Sequence, residues 1–129
     1  MTDQLPPRIQ AIADRLADGW GETIDAGPGW FDLITDLDTR LKRLSPDYVL
    51  EQCKSKYGGL RYYARPADAD DIDLQMTFNE IIREAEDQST SICEECGGPA
   101  QQVTLRGWIR TLCDMHTQLL RQEDHARDE

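Results

Sequence analysis

An α+β fold is predicted for this chain by three observations. Apolar residues recur at helical spacing before Pro46, two strand-like runs flank Gly58-Gly59, and two pairs of metal-ligating residues, Cys93 with Cys96 and Cys113 with His116, lie toward the C-terminus. Together they predict two N-terminal helices, a β-hairpin, a third helix and a C-terminal treble-clef-like zinc finger. With 129 residues there is too little chain for two independent hydrophobic cores. A helical and hairpin domain over 1–92 is therefore expected to carry a zinc-finger module over 93–122 packed on it, followed by a polar tail over 123–129.

Pro6 and Pro7 suit the opening of a helix, where a missing N–H costs nothing. Ile9, Ile12, Ala13 and Leu16 then form one apolar stripe that Gly19 stops. The stretch from Trp20 to Gly29, punctuated by glycines and Pro28, reads as a loop, either mobile or pinned by Trp20. From Trp30, the residues Ile34, Leu37, Leu41 and Leu44 follow at gaps of four and three, until Ser45-Pro46 ends the helix. This stripe reads as the core face of a small domain. Tyr48 to Tyr57 and Leu60 to Arg65 read as two strands around Gly58-Gly59, which can supply the positive φ angles of a two-residue turn. Leu60, Tyr62 and Ala64 fall on one face, and Arg61, Tyr63 and Arg65 on the other. After an acidic linker, Phe78, Ile81, Ile82, Ala85 and Ile92 carry a helical stripe into Cys93. Its start is open: Thr77-Phe78-Asn79-Glu80 fits a capping box, Asp71 is an equally good earlier cap, and Ile72, Leu74 and Met76 alternate as a strand would.

The metal-ligating pairs, CEEC and CDMH, stand sixteen residues apart, enough for a small hairpin. The first pair suits a tight turn in which Gly97 and Gly98 let backbone amides point at the thiolates. The second suits the first turn of a helix carrying Leu112, Met115, Leu119 and Leu120, where Cys113 and His116 face the same way and the helix N-terminus favours thiolate. Gln101 to Arg110 leaves room for a short hairpin, expected to hold Trp108 over the site. Four protein ligands close a tetrahedron and leave no position for a reacting water, so the expected Zn2+ is structural. A redox reading of CEEC would leave CDMH unexplained. Cys53 reads as a small buried apolar residue or as a replacement for His116 as fourth ligand, and His125 as a solvated residue of the tail.

The formal net charge of −11 argues against a general nucleic-acid binder, yet its distribution is uneven. Pro66 to Cys96 holds ten acids against Arg83 alone, whereas Asp38 to Arg65 holds seven bases against three acids. Asp68, Asp70, Asp71, Asp73, Glu80, Glu84, Glu86 and Asp87 form a candidate interaction face that would mimic nucleic-acid phosphates toward a basic cleft on a host protein. The competing reading is a solvated acidic linker and helix face. Lys54, Lys56, Arg61, Tyr63 and Arg65, with Arg106, Trp108 and Arg110 beside the zinc, are candidate nucleic-acid contacts, set against the alternative that the aromatics pack the core and the cations solubilise.

The two histidines, one already assigned as a ligand, and the lack of a phosphate loop, nucleophile elbow or catalytic carboxylate pair lead to the expectation that the chain is not an enzyme. No apolar run approaches the ~20 residues that span a bilayer, and MTDQLPPRIQ lacks the pattern of a signal peptide. A reducing cytoplasm is expected, with thiols kept as metal ligands and no membrane partner.

The ordered motifs GWFDLI, KSKYGGLRYY, EIIREAEDQSTSICEECGGP and GWIRTLCDMH resemble those of a group of small uncharacterised bacteriophage and prophage proteins, over roughly residues 29–118. The resemblance implies a phage or mobile-element origin and, with it, the host cytoplasm. The zinc segment alone is similar to the C-terminal finger of the DksA/TraR transcription regulators, which act in the RNA polymerase secondary channel. Here the last ligand is His116 and no long antiparallel coiled coil with an acidic tip lies upstream, so that mechanism is not carried over. The functional expectation is a small zinc-binding protein that acts by binding a host macromolecule, most simply a protein. The alternative is a nucleic-acid-binding or transcription-regulating zinc finger.

Overall fold

The structure is a computed structural model that describes residues 5–17, 24–68 and 70–128, with side chains described through residue 123. The first helix, α1 (Pro7–Ala13), opens on Pro6 and Pro7 as predicted but ends well before Gly19. Leu16 leaves the stripe to form a parallel bridge with Leu50, and the Ala17 N–H donates to the Leu50 carbonyl at 2.8 Å. A backbone partner outside the helix thus ends it early. The predicted stop at Gly19 and the pin at Trp20 lie outside the described residues. When the chain resumes, the Asp25 N–H donates to the Cys53 carbonyl and the Ser55 N–H to the Asp25 carbonyl, so this loop covers the open edge of the following strand.

A single 3-10 turn, Pro28–Trp30, leads into α2 (Phe31–Leu44), which buries Ile34, Leu37 and Leu41 and ends at extended Ser45 before Pro46. Strands β1 (Val49–Lys56) and β2 (Gly59–Arg65) pair antiparallel, with a bulge between Leu50 and Gln52. Lys56 pairs with Gly59, which makes Tyr57 and Gly58 the central turn residues, at φ 55° and 77°. The turn thus lies one residue earlier than Gly58-Gly59. Leu60 and Tyr62 are buried, while Tyr63 and Arg65 are exposed, in line with the alternation.

Helix α3 (Ile72–Ser89) starts at the earlier of the predicted caps: the Asp71 carboxylate accepts the Leu74 N–H at 3.0 Å. The Thr77 capping box and the strand through Ile72, Leu74 and Met76 do not form, because one continuous helix buries Phe78, Ile82, Ala85 and Ser89 while Ile72 and Met76 face solvent. Ile92 lies beyond the helix and bridges Pro99. A second hairpin, β3 (Gln101–Leu105) and β4 (Trp108–Leu112), turns through Arg106 and Gly107, again at positive φ. Helix α4 (Asp114–Asp128) follows. Among the described residues the architecture is α+β with two separate two-stranded sheets.

One core joins α1, α2, α3 and the first hairpin around Trp30, Leu41, Leu50, Leu60, Tyr62 and Phe78. Its polar centre is a chain of groups: the Tyr48 hydroxyl donates to buried Asp38 and also bonds the Tyr62 hydroxyl. Lys42 lies 3.5 Å and Arg15 3.9 Å from the same carboxylate, which offsets its desolvation. Cys53 is 2% exposed within this core. It is a packed residue and not a metal ligand, because the ligand cluster closes without it.

Candidate metal centre

Beyond the bridge at Ile92, the chain turns sharply at CEEC. The Gly97 N–H donates to the Cys93 carbonyl at 2.9 Å, the Cys93 N–H to the Gly98 carbonyl at 2.8 Å, and the Gly98 N–H to the Cys96 sulfur at 3.4 Å. Gly97 adopts φ 81°, which a side chain would resist. On the other side, Cys113 stands immediately before α4 and caps it through sulfur, accepting the His116 N–H at 3.4 Å. Thr117 locks that turn, its N–H and hydroxyl both donating to the Cys113 carbonyl.

The three sulfurs and one imidazole nitrogen converge within 4.8 Å of one another. Cys96 Sγ lies 3.8 Å from Cys113 Sγ, while His116 Nδ1 lies 3.8 Å from Cys93 Sγ and 3.2 Å from Cys113 Sγ. A tetrahedral ion with bonds of about 2.3 Å to sulfur and 2.0–2.1 Å to nitrogen would set these edges near ~3.8 and ~3.5 Å. The donor set therefore fits one metal ion. Burial pushes the Cys93 thiol up, but backbone N–H groups of Cys113, Cys96 and Glu95 outweigh it and lower its pKa to about 7. The Gly98 N–H pulls Cys96 down, yet desolvation and the adjoining Cys93 and Cys113 sulfurs leave it raised. Thiolates this close repel one another, and a cation placed among them would offset that repulsion.

The centre is clasped by the N-terminal half of the chain. The Gly29 N–H donates to the Glu94 carbonyl at 2.8 Å, and the Trp30 indole N–H to the Ile92 carbonyl at 2.8 Å. A Cβ on Gly29 would stand 2.0 Å from the Cys93 carbonyl oxygen, and one on Gly27 2.3 Å from that of Glu94. The glycines before Trp30, read only as loop signals, admit the metal-binding turn at backbone contact.

Glu94 is a second residue that sequence reasoning missed, having counted it only as one acid among ten. It is 3% exposed and accepts the Thr111 N–H at 2.8 Å, Arg110 Nε at 3.3 Å and the Ser55 hydroxyl at 3.2 Å. One carboxylate thus ties the metal-binding turn to both hairpins. The first turn is also inserted into the second hairpin: the Thr111 hydroxyl donates to the Gly58 carbonyl, and Gln102 to that of Tyr57 at 3.3 Å.

Trp108 does not cover the metal centre. It opens β4, at the opposite end of that strand from Leu112 and Cys113, and is 75% exposed. With Tyr57, Lys56 and Ile109 it lines a groove of about 580 Å³ between the two hairpin turns, at which Ser55, Glu94 and Arg110 also lie. Of the other cationic candidates, Arg110 is committed to Glu94 and to Glu95 at 2.9 Å, and Arg106 lies in the second turn. Lys54 pairs across the sheet with Arg61 and stands 5.8 Å over the Tyr63 ring, while Lys56 stands 5.5 Å over Tyr57 and Arg65 is exposed at the strand end.

The acidic candidates divide. Asp71 caps α3, Glu86 is half-buried and accepts the Tyr62 N–H at 3.1 Å, Glu84 faces Arg40 at 3.4 Å, and Asp68 accepts the Asp70 N–H at 3.2 Å. Asp73, Glu80, Glu84 and Asp87 fall on a single helix face opposite Phe78, Ile82 and Ala85, a stripe of about 21 Å at 1.5 Å per residue. The side chain of His125 lies outside the described residues.

Comparison with family models, curated proteins and solved structures finds no match for this chain. Among the described residues, no helix is long and apolar enough to cross a membrane.

Proposed function

We propose that this is a small phage-type zinc-binding protein that acts without catalysis, by binding a host macromolecule in the cytoplasm. The observation that carries the reading is the closed donor set: Cys93, Cys96, Cys113 and His116 lie within 4.8 Å of one another and leave no coordination position for substrate. Three thiolates and an imidazole favour a soft or borderline ion, and zinc suits a tetrahedral set of three sulfurs and one nitrogen. Its role is structural, holding the second hairpin and α4 against the rest of the chain so that the surface around them is rigid. The acidic stripe of Asp73, Glu80, Glu84 and Asp87 supports a basic cleft on a host protein as the target, since carboxylates in a row present charge as a nucleic-acid backbone does.

One zinc per chain, and an intense thiolate-to-metal absorption band after cobalt substitution, are expected. Capture of a host protein from nuclease-treated lysate should be lost when Asp73, Glu80 and Asp87 are changed to Lys; undiminished capture contradicts the acidic-stripe target. The exposure of Trp108 and Tyr57 favours a second reading, binding of nucleic acid, because these rings do not pack the core.

A further inference from the structure

We infer that the groove between the two hairpin turns is a binding site for unpaired nucleobases of a single-stranded nucleic acid. The inference deepens the macromolecule-binding reading above and rests on it.

The chain buries Trp30, Tyr48 and Tyr62 almost completely, yet leaves Tyr57 66% and Trp108 75% exposed on a shared groove. Tyr57 stands where the backbone disfavours it. A two-residue turn with positive φ at both central positions selects Asn, Asp or Gly, and a bulky ring at φ 55° is strained. An exposed tyrosine that contributes little to the core is held at that position, as expected when the ring itself is used.

The surroundings suit a polyanion carrying planar bases. Lys56 stands over Tyr57 and Lys54 over Tyr63, so each exposed ring of the first hairpin has a cation beside it, and the Lys56–Tyr57 pair lies in the groove. The two strands of the first hairpin hold Lys54, Lys56, Arg61 and Arg65 against Glu51 alone and contrast with the acidic chain as a whole. Glu94, at the groove, is buried and hydrogen-bonded by Arg110, Thr111 and Ser55, which masks its charge, although Arg110 is shared with Glu95. The platform is also preorganised. Thr111 and Gln102 bond the carbonyls of Gly58 and Tyr57, locking one turn against the other hairpin. A cavity of about 580 Å³ admits bases stacking on these rings without strong choice among them. A duplex keeps its base faces stacked internally and would offer this groove only its backbone.

The test uses the zinc-loaded full chain and a fluorescein-labelled 16-mer of deoxythymidine, read by anisotropy at low salt. Binding is expected to weaken steeply with added salt. Trp108→Ala, and Tyr57→Asn, which suits the turn conformation, should each reduce affinity about tenfold or more without lowering the melting temperature. A duplex of equal length should bind more weakly. Absence of binding at low salt, or equal affinity of both variants and the wild type, overturns the inference. Loss of a captured host protein in Trp108→Ala, with no oligonucleotide binding by the wild type, overturns the nucleobase assignment and leaves the macromolecule-binding reading standing.

Discussion

The two hairpins share a turn and little else. Each reverses through a non-glycine residue and a glycine, both at positive φ: Tyr57-Gly58 in the first, Arg106-Gly107 in the second. The first carries Leu50, Cys53, Leu60 and Tyr62 into a core shared with three helices. The second has only Thr111 and Leu112 fully covered. A lone two-stranded hairpin is marginal in water. The first is therefore held by apolar burial, and the second by the Glu94 carboxylate, the backbone clasp at Gly29 and, on the proposed reading, a metal ion at the Cys93, Cys96, Cys113 and His116 cluster. On the proposed reading the same local geometry draws its stability from burial at one end and from coordination at the other, so the two ends should fail under different insults.

Metal removal is the largest of these. Apparent binding energies of structural zinc sites are about 10–16 kcal/mol at neutral pH, and here that energy would be folding energy for the second hairpin and α4. Strong chelation, or Cys96→Ser, is expected to abolish amide-exchange protection across β3, β4 and the start of α4. The clasp should carry the disturbance to Trp30, whose indole loses its partner at Ile92. Unchanged exchange and an unchanged melting temperature in metal-free protein would contradict this.

A smaller break is made at Gly29, without touching a ligand. Ala there drives a Cβ into the Cys93 carbonyl at 2.0 Å, with the Gly97 nitrogen at 2.6 Å. Backbone cannot rotate aside, so a loss of about 3 kcal/mol and weaker metal retention are expected, read by denaturant melts and metal stoichiometry. Gly107→Ala is the control: its Cβ meets nothing within 4 Å, and only the positive φ opposes it, at ~1 kcal/mol. Equal effects at the two glycines would mean that the clasp does not hold the centre.

Periodicity made the first end legible. Ile34, Leu37 and Leu41 announce α2, and the alternation of Leu60 to Arg65 announces which face of β2 is buried, because core burial imposes a period on the sequence. The convergence of Cys93, Cys96, Cys113 and His116 was legible from spacing. What joins them was not, since Gly27, Gly29 and Glu94 act through contacts with residues distant in the chain, and such contacts leave no period. The single available signal was the repetition of glycine around Pro28, which loop chemistry explains equally well. The turn was misplaced by one residue for a related reason: either pair, Tyr57-Gly58 or Gly58-Gly59, satisfies the local pattern, and packing of Gly58 against Ile109 and Arg110 accompanies the register the structure adopts. The same non-local blindness put Trp108 over the metal.

Glu94 and its neighbour sharpen the contrast within the second end. Glu94→Ala leaves the buried Thr111 N–H without an acceptor and Arg110 without its inner partner, at about 3 kcal/mol. Glu95→Ala removes only a rim contact to Arg110, where both side chains are more than 30% exposed, at ~0–1 kcal/mol. Thermal melts of the two variants separate a hub from a surface pair, and similar losses would show that Glu94 is no hub.

The smallest effect belongs to the first end and appears in alkali. Burial pushes the Cys53 thiol up to about 12, with Asp25 adding to it, and burial likewise raises the Tyr48 and Tyr62 hydroxyls well above their usual range. A folded-state pKa raised above the unfolded one means that the native core holds these protons more tightly. The stabilisation is fully present below pH 9 and is lost as pH climbs toward 12, because only the unfolded chain ionises freely. One unit above its ordinary pKa, the thiol alone should lower stability by on the order of 1 kcal/mol, with the tyrosines adding at higher pH. Cys53→Ala should flatten the slope between pH 9 and 10 while leaving the steeper tyrosine-driven loss beyond it. The metal end has the opposite sign: protons compete with the ion for thiolate and imidazole, so it weakens in acid. Amide exchange at pH 5 and pH 10 should therefore open different hairpins first, and opening of the second hairpin first at both would mean that the core contributes no pH sensitivity of its own.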